Sequence, residues 1–258
     1  MMVPSAYDAT LAQKQAIVAA SQDMRRQRQT MIEHLAPKAG EAILEVGCGN
    51  GDLTREIANL IGPNGTMVAV DPSSAMIEQA SSAAPPARCI EASAVELPFE
   101  DNAFDAVIAA QVYCFVPDLK TAVAEAMRVL TPGGRLVILD SDWRSMRWTT
   151  GSEAAFARAD RIVRAHYAHS DVPEQLPHLL ADQGFGNIEQ TVFTIENHRS
   201  DPDTYSASIN DSVETALETV SKYPEYLLSE WQAARAEIIA AGKFHFRLDR
   251  IITKAVKT

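Results

Sequence analysis

The chain has 258 residues, of which 47% are hydrophobic and 22% charged, and its formal net charge is −11. This length and balance fit one large globular domain, or one domain with a sizeable insertion. The acidic charge and the lack of a long Lys/Arg cluster argue against a nucleic-acid partner, because phosphates need a basic surface.

The cysteines and the N-terminal composition bear on location. Cys48, Cys89 and Cys114 lie in or beside apolar strand-like runs and lack C-x-x-C spacing, which indicates reduced core thiols in a cytosolic protein. The N-terminus lacks the basic start and apolar core of a signal peptide, and no segment reaches the ~18–20 apolar residues of a membrane helix. We therefore expect a cytoplasmic protein without a membrane span, and a homodimer is left open.

Residues 1–40 predict helices, with apolar spacing that is clearest from Met24 to Leu35. A helical element placed before the first strand has no sheet partner of its own. We therefore expect it to pack as a lid over the ligand-binding end of the sheet. Arg25 and Arg28 could then reach an anionic group, although a solvated helix face is the simpler interpretation of these charges.

From residue 42 to residue 139, predicted strands and helices alternate. Strands separated by helices throughout favour a parallel α/β sheet with right-handed crossovers. The predicted strands are 42–46, 66–70, 88–91, 104–110 and 135–139. The predicted helices are 52–61, 74–83 and 119–130.

The pattern changes after residue 140. Helices are predicted at 153–168, 173–182, 203–222 and 224–241, and strands at 188–196 and 244–255. These two strands lack a crossover of the earlier kind, so we expect them to pair antiparallel at the sheet edge.

The predicted fold is a single α/β domain over residues 1–258. It has a Rossmann-like, mostly parallel seven-stranded sheet with helices on both faces and an antiparallel last strand. Residues 1–40 form the helical lid and 41–140 the cofactor-binding core. Residues 141–172 and 198–242 are substrate-side insertions over the carboxyl ends of the strands, where ligands bind in such folds.

The stretch Ile43–Thr54, I-L-E-V-G-C-G-N-G-D-L-T, predicts a buried strand, a glycine turn and a helix N-terminus. Glycine lacks a Cβ, so a ligand can lie directly on this backbone. Asp71 closes the next strand, and a carboxylate there accepts hydrogen bonds from both hydroxyls of a ribose. Asp52 stands where the NAD pattern G-x-G-x-x-G wants its last glycine. An acid there opposes a diphosphate, so the turn favours a nucleoside bearing a cationic sulfonium over NAD.

Four spaced motifs resemble the class I S-adenosylmethionine-dependent methyltransferases, and the subgroup nearest in appearance includes the ubiquinone and menaquinone biosynthesis enzymes. The resemblance covers about residues 40–140. The motifs are E-V-G-C-G-N-G at 45–51, V-A-V-D-P-S-S-A-M-I-E-Q-A at 68–80, L-P-F at 97–99 with F-D-A-V at 104–107, and R-V-L-T-P-G-G-R-L at 128–136.

The resemblance implies S-adenosylmethionine as cofactor and methyl transfer to a small-molecule acceptor. Whether oxygen, nitrogen, carbon or sulfur is methylated is undetermined. The N/D-P-P-Y/F motif of enzymes that methylate amino groups of bases and glutamine amides is missing after the fourth strand, which disfavours those substrates. The alternatives are an S-adenosylmethionine-binding enzyme with a non-methylating reaction, an NAD-dependent oxidoreductase, and a non-catalytic binding domain.

Carried over by position, the resemblance implies a cofactor site from four segments. The glycines would form its floor, Glu45 would support the loop or meet the amino group, and Asp71 would bind the ribose. Many relatives carry Asp at the position of Ser93, where serine is a weaker acceptor for the adenine amino group. The implied cofactor residues are Glu45, Gly47, Gly49, Gly51, Asp71, Pro72, Met76, Ser93, Ala94, Val95 and Gln111.

Methyl transfer needs mainly orientation, with a general base where the acceptor carries a proton of high pKa. Asp142 and Tyr113 are candidates because each follows a strand at the cofactor end. His166 is a third candidate, although an exposed or core histidine is the simpler interpretation. Trp143 and Trp148 could stack on an aromatic substrate or simply pack. The sequence indicates no metal site.

Overall fold

The computed structural model describes residues 17–220 and 223–258, in which seven strands form one sheet. The strands are β1 (Ala42–Val46), β2 (Thr66–Asp71), β3 (Arg88–Glu91), β4 (Phe104–Ala110), β5 (Leu130–Trp148), β6 (Phe185–Asn197) and β7 (Phe246–Lys257). The helices are α1 (Gln22–Leu35), α2 (Asp52–Ile61), α3 (Ser74–Ala83), α4 (Leu119–Val129), α5 (Glu153–Arg164), α6 (Val172–Asp182), α7 (Tyr205–Thr219) and α8 (Tyr226–Ala240), with a 3₁₀ turn at Tyr113–Phe115.

The sheet has the strand order β3-β2-β1-β4-β5-β7-β6. Strands β1 to β5 pair in parallel, whereas β7 runs antiparallel to both β5 and β6. The Rossmann-like α/β fold with an antiparallel last strand is therefore confirmed. The order also places the carboxyl ends of β1, β2 and β4 together, where the glycine turn and Asp71 lie.

Apolar side chains on both faces explain why the central strands are nearly continuous hydrophobic runs. On one face, Ile43 and Ile108 pack with α1 and α2 in the larger buried cluster. On the other, Leu44 and Val107 pack with α4 and α6. The sheet is thus a middle layer, and only its carboxyl edge leaves room for polar chemistry.

Strand β5 is much longer than the predicted 135–139. Residues 141–148, expected to begin the first insertion, continue the strand past an irregularity and pair with Phe246–Arg250 of β7. The sequence signal was weak because Asp142, Arg144 and Arg147 interrupt the apolar run. A long neighbouring strand supplies the hydrogen bonds that a short strand would lack.

Helix α1 packs along a face of the sheet, with Met31 and Leu35 fully buried. Its first turn reaches the carboxyl edge, where Asp23 Oδ2 accepts hydrogen bonds from Asn197 Nδ2 and from the Tyr205 backbone N–H, each at 2.9 Å. The remainder of the predicted lid, residues 1–16, lies outside the described residues. No helix within the described ranges is both long and apolar enough to cross a membrane.

Candidate active site

The glycine turn after β1 has left-handed backbone at each of its glycines: φ is 73° at Gly47, 51° at Gly49 and 83° at Gly51. A Cβ on Gly47 would lie 2.3 Å from Val112 Cγ2, and one on Gly51 would lie 2.7 Å from Ala80 Cα. A Cβ on Gly49 would meet nothing within 4 Å. Two of the glycines therefore admit close neighbours, from the segment after β4 and from α3, while Gly49 faces open space.

Asp71 ties this turn to the end of β2. Its Oδ2 accepts from the Gly49 backbone N–H at 3.0 Å, and its Oδ1 accepts from the Ser73 N–H at 2.9 Å. Burial raises the pKa of Asp71, while the two backbone hydrogen bonds act to lower it. Each carboxylate oxygen keeps a further lone pair, so the side chain is able to accept two more donors.

Glu45 lies beneath the turn and is 2% exposed. Its Oε2 accepts from Thr54 Oγ1 at 2.5 Å, which links β1 to the first turn of α2. Burial, helped by the nearby charges of Asp71 and Asp52, raises the pKa of Glu45 to about 8. The position fits the predicted role of Glu45 as a support for the loop.

Asp52 is not the isolated negative charge that the sequence argument assumed. Arg55 pairs with it at 2.7 Å, and Arg28 of α1 lies 3.9 Å away while also pairing with Glu56 at 2.8 Å. Arg28 therefore forms part of an ion-pair cluster at the start of α2. These ion pairs weaken the argument that the charge of Asp52 opposes a diphosphate.

The adenine-side residues stand around the ends of β2 and β3. The Ala92 N–H donates to the Asp71 carbonyl at 3.1 Å, which holds the following loop, Ser93 to Val95, beside Asp71. Met76 and Ala94 are buried, whereas Pro72 and Ser93 are exposed. Ser93 Oγ accepts from the Val95 N–H at 3.4 Å, and this contact does not use the hydroxyl hydrogen of Ser93.

Gln111, directly after β4, has φ 57° and turns its side chain toward β5. Its Oε1 accepts from Ser141 Oγ at 2.7 Å, and its Nε2 donates to Asp140 Oδ1 at 3.5 Å. The structure thus places this predicted cofactor residue in a polar group with Asp140, which the sequence analysis did not select. The signal available was an acid closing an apolar run, as at Asp71.

Asp140 is fully buried, and burial raises its pKa to about 7 against the opposing effect of its contact with Cys114. Its Oδ1 accepts from the Cys114 N–H at 3.4 Å, and its Oδ2 has no hydrogen-bond partner. Tyr113 is also buried, and burial raises the pKa of its hydroxyl well above the usual range, with a smaller contribution from Asp140.

The other two predicted bases stand apart from this group. Asp142 Oδ1 accepts from Arg144 Nε at 3.2 Å, and the same arginine pairs with Glu174 of α6. Helix α5 ends at Arg164, so His166 lies outside the helix, although the predicted helix at 153–168 included it. Its ring stands edge-on to Phe115, with centroids 5.6 Å apart.

An aromatic group lines the far side of the carboxyl edge. Trp143 is fully buried and stacks on Tyr167, with centroids 4.8 Å apart and planes at 25°. Trp148 instead packs edge-on against Trp231 and Phe246, which favours a core role. Both tryptophans belong to the same buried cluster, and stacking of Trp143 on a substrate stays a prediction.

One exposed group in the described ranges could hold a metal ion, although the sequence analysis indicated none: Glu196, His198 and His245, whose ligand atoms lie within 4.8 Å of one another. His245 Nε2 already lies 2.9 Å from Glu196 Oε1. A hydrogen bond between these two side chains accounts for the contact without a metal.

The fold and this edge define a nucleotide-type α/β domain in which a glycine turn and an acid close neighbouring strands. Residues 44–138 match the family model described as a methyltransferase domain. The resemblance to class I S-adenosylmethionine-dependent methyltransferases is confirmed over this stretch.

Two curated relatives are similar to part of the chain. An uncharacterized 37.1 kDa protein in transposon TN4556 of Streptomyces fradiae is 34% identical over 62% of this chain and 48% of its own length. The ubiquinone/menaquinone biosynthesis C-methyltransferase UbiE of Stutzerimonas stutzeri is 36% identical over 42% of this chain and 45% of its own. The chain thus spans about half the length of the curated relatives it matches.

Solved structures share the fold over nearly the whole chain. The YcgJ protein of Bacillus subtilis matches with a TM-score of 0.62 at 18% identity, covering 90% of this chain and 98% of its own. Phosphoethanolamine N-methyltransferase 2 of Haemonchus contortus, solved in complex with S-adenosyl-L-methionine, matches with a TM-score of 0.64 at 19% identity, covering 98% of this chain and 58% of its own. At these identities the likeness establishes the fold.

Proposed function

We propose that this protein binds S-adenosylmethionine and transfers its methyl group to a small-molecule acceptor. The observation that carries the proposal is the link between Asp71 and the Gly49 backbone N–H, which sets a ribose-binding carboxylate against an open glycine turn. The methyltransferase-domain match over residues 44–138 supports the same reaction.

The residues present fit this cofactor. Gly49 leaves the space that a Cβ would take, and the free lone pairs of Asp71 suit the two hydroxyls of a ribose. When bound, S-adenosylmethionine supplies a methyl group already activated by its sulfonium. The chain then has to hold the acceptor in line with that methyl and keep water away, and orientation of this kind supplies much of the rate.

We assign the role of proton acceptor to Asp140, for acceptors that lose a proton. Its unpartnered Oδ2 is free to take a hydrogen bond, and a pKa of about 7 leaves it partly ionised at neutral pH. Asp142 is engaged by Arg144, and a tyrosine with the raised pKa of Tyr113 is seldom ionised.

The Asp140 assignment predicts a pH dependence. Turnover should rise as the pH passes through about 7, because only the ionised carboxylate accepts a proton. Asp140→Asn should abolish that rise and lower turnover roughly 10²-fold or more, as expected for loss of a general base. Asp142→Asn is the matched control. An unchanged pH profile in Asp140→Asn would rule this role out.

Calorimetry with S-adenosylmethionine, S-adenosylhomocysteine and NAD tests cofactor binding. We expect the first two to bind and NAD to fail, and binding of NAD alone would overturn the proposal in favour of an oxidoreductase. Transfer of a labelled methyl group into a mixture of small molecules tests the reaction. Cofactor binding without transfer would favour a non-methylating enzyme.

Asp71→Ala should weaken S-adenosylmethionine binding more than about tenfold, because a charged hydrogen-bonding partner of the ribose is lost. Ser73→Ala is the control, since it removes only the cap of α3, where Ser73 Oγ accepts from the Met76 N–H. Unchanged affinity in Asp71→Ala would mean that the nucleoside lies elsewhere.

A further inference from the structure

Arg250, in the middle of β7, is a buried cation without a carboxylate partner. It is 1% exposed, yet no Asp or Glu in residues 17–220 or 223–258 lies within ion-pair distance of it. Its Nη1 donates to Gln27 Oε1 and lies 3.5 Å from Met24 Sδ, while its Nε has no partner at all. Arginine stays charged in proteins, and removing its charge from water without compensation is costly.

The position of Arg250 connects it to the site. In the sheet register it pairs with Ser141 on β5, whose hydroxyl bonds to Gln111 at the end of β4. Its positive charge also opposes the burial-driven rise in the pKa of Asp140. Arg250 therefore lies at the carboxyl edge, on the side of β5 away from the glycine turn.

The surroundings of this guanidinium are aromatic. It lies over the ring of Tyr205, 4.3 Å from the ring centroid, and Trp143 of the neighbouring strand stacks on Tyr167. Trp143 Nε1 is buried without a hydrogen-bond partner, as Arg250 Nε is. The two N–H donors share Tyr167 as a neighbour: Trp143 stacks on its ring, and the charge of Arg250 lowers the pKa of its hydroxyl against the larger effect of burial. An anionic oxygen group on a flat, apolar body would satisfy both features.

We propose that the methyl acceptor is an aromatic or otherwise flat apolar acid whose anionic oxygens pair with Arg250. This inference rests on the proposed methyl transfer and names the substrate class of the same site. Carboxylates and phosphates share the required chemistry, because each presents two oxygens to the fork of a guanidinium. A structural role, with Gln27 and Tyr205 alone holding the side chain, is the competing explanation.

The test uses the full chain saturated with S-adenosylhomocysteine and matched pairs of probes. Calorimetry at constant ionic strength compares salicylate with salicylamide and phenyl phosphate with phenol. We expect the affinity for at least one acid to exceed that for its neutral counterpart by about tenfold or more. The neutral probe cannot form the charge-assisted hydrogen bond with Arg250. The pair that shows the preference distinguishes a carboxylate from a phosphate.

Variants then assign the preference. Arg250→Gln should abolish it while S-adenosylhomocysteine still binds, and Arg247→Gln, a half-exposed position on the same strand, should retain it. If Arg250→Gln fails to fold, Arg250→Lys keeps the charge without the fork and should reduce the preference several-fold.

Equal binding of acids and neutral probes, failure of all four probes, or a preference that survives in Arg250→Gln would each overturn the inference. Failure of the wild-type protein to bind S-adenosylhomocysteine would instead overturn the proposed function. The two failures are therefore distinguishable, because the cofactor titration precedes the probes.

Discussion

The carboxyl edge has a methyl-donor side around the glycine turn and a proposed acceptor side across β5 and β7. The two sides differ in how their buried polar groups are hydrogen-bonded. Around the glycine turn, Asp71 and Glu45 find partners close by, in the Gly49 and Ser73 backbone and in Thr54. Across β5 and β7, Asp140 Oδ2, Trp143 Nε1 and Arg250 Nε are buried without partners. Trp148 Nε1 on β5 and Arg235 Nε on α8 are the other two such atoms in the described residues. Buried polar groups in folded proteins are usually satisfied, so the unpaired ones on β5 and β7 suggest a place for a ligand. The donor side is ordered by contacts within its own chain, and we propose that a bound acceptor completes the acceptor side.

The largest expected effect comes from the donor-side backbone. Gly47→Ala combines a left-handed φ of 73° with a Cβ 2.3 Å from Val112 Cγ2, so we expect a loss of roughly 3–5 kcal/mol in the free energy of unfolding. Gly49→Ala bears only the backbone cost, about 1–2 kcal/mol. Urea unfolding curves measure both.

The double variant Gly47→Ala/Val112→Ala separates the two causes. It should recover part of the loss, because the clash is relieved and the φ cost remains. Equal destabilisation by Gly47→Ala and Gly49→Ala would contradict the contact between the turn and Val112.

A second effect, also on the donor side, depends on pH. The pKa of Glu45 is raised to about 8 in the folded protein, so the folded state holds a proton that the unfolded chain releases near 4.5. Ionising the buried Glu45 therefore lowers the free energy of unfolding. This loss is absent below about pH 4.5, grows as the pH rises, and is complete above about 8.

Glu45→Gln removes that penalty but buries an amide N–H. We expect it to raise the free energy of unfolding by roughly 2 kcal/mol at pH 9 and to give no gain at pH 5. Unfolding curves at the two pH values decide the matter, and a gain of the same size at both would show that Glu45 is not desolvated.

The smallest effect belongs to the outer rim of the acceptor side. Arg144 is half-exposed and pairs with Asp142 and Glu174, so Arg144→Ala should cost less than about 1 kcal/mol in unfolding free energy. A larger loss would mean that this ion pair, rather than the buried groups, organises the acceptor side.

Local sequence was sufficient for most of the donor side. The strands from Ala42 to Ala110 were predicted to within about a residue, because apolar runs and glycine or proline breaks mark them directly. Asp71 could be placed against the glycine turn because parallel neighbours end at the same edge. The continuation of β5 to Trp148 could not be predicted, since its pairing depends on a strand that begins about a hundred residues later.

The sequence by itself therefore determined the fold class, the glycine turn and the kind of cofactor it suits, because these depend on backbone geometry encoded within a few neighbouring residues. Only the tertiary structure decided that the charge of Arg250 acts on Asp140 and that Trp143 stacks on Tyr167. Arg250 meets Gln27 across 223 residues of chain, and no local pattern distinguishes a buried unpaired arginine from a solvated one. Burial and missing partners are properties of packing, and they exist only once the strands have paired.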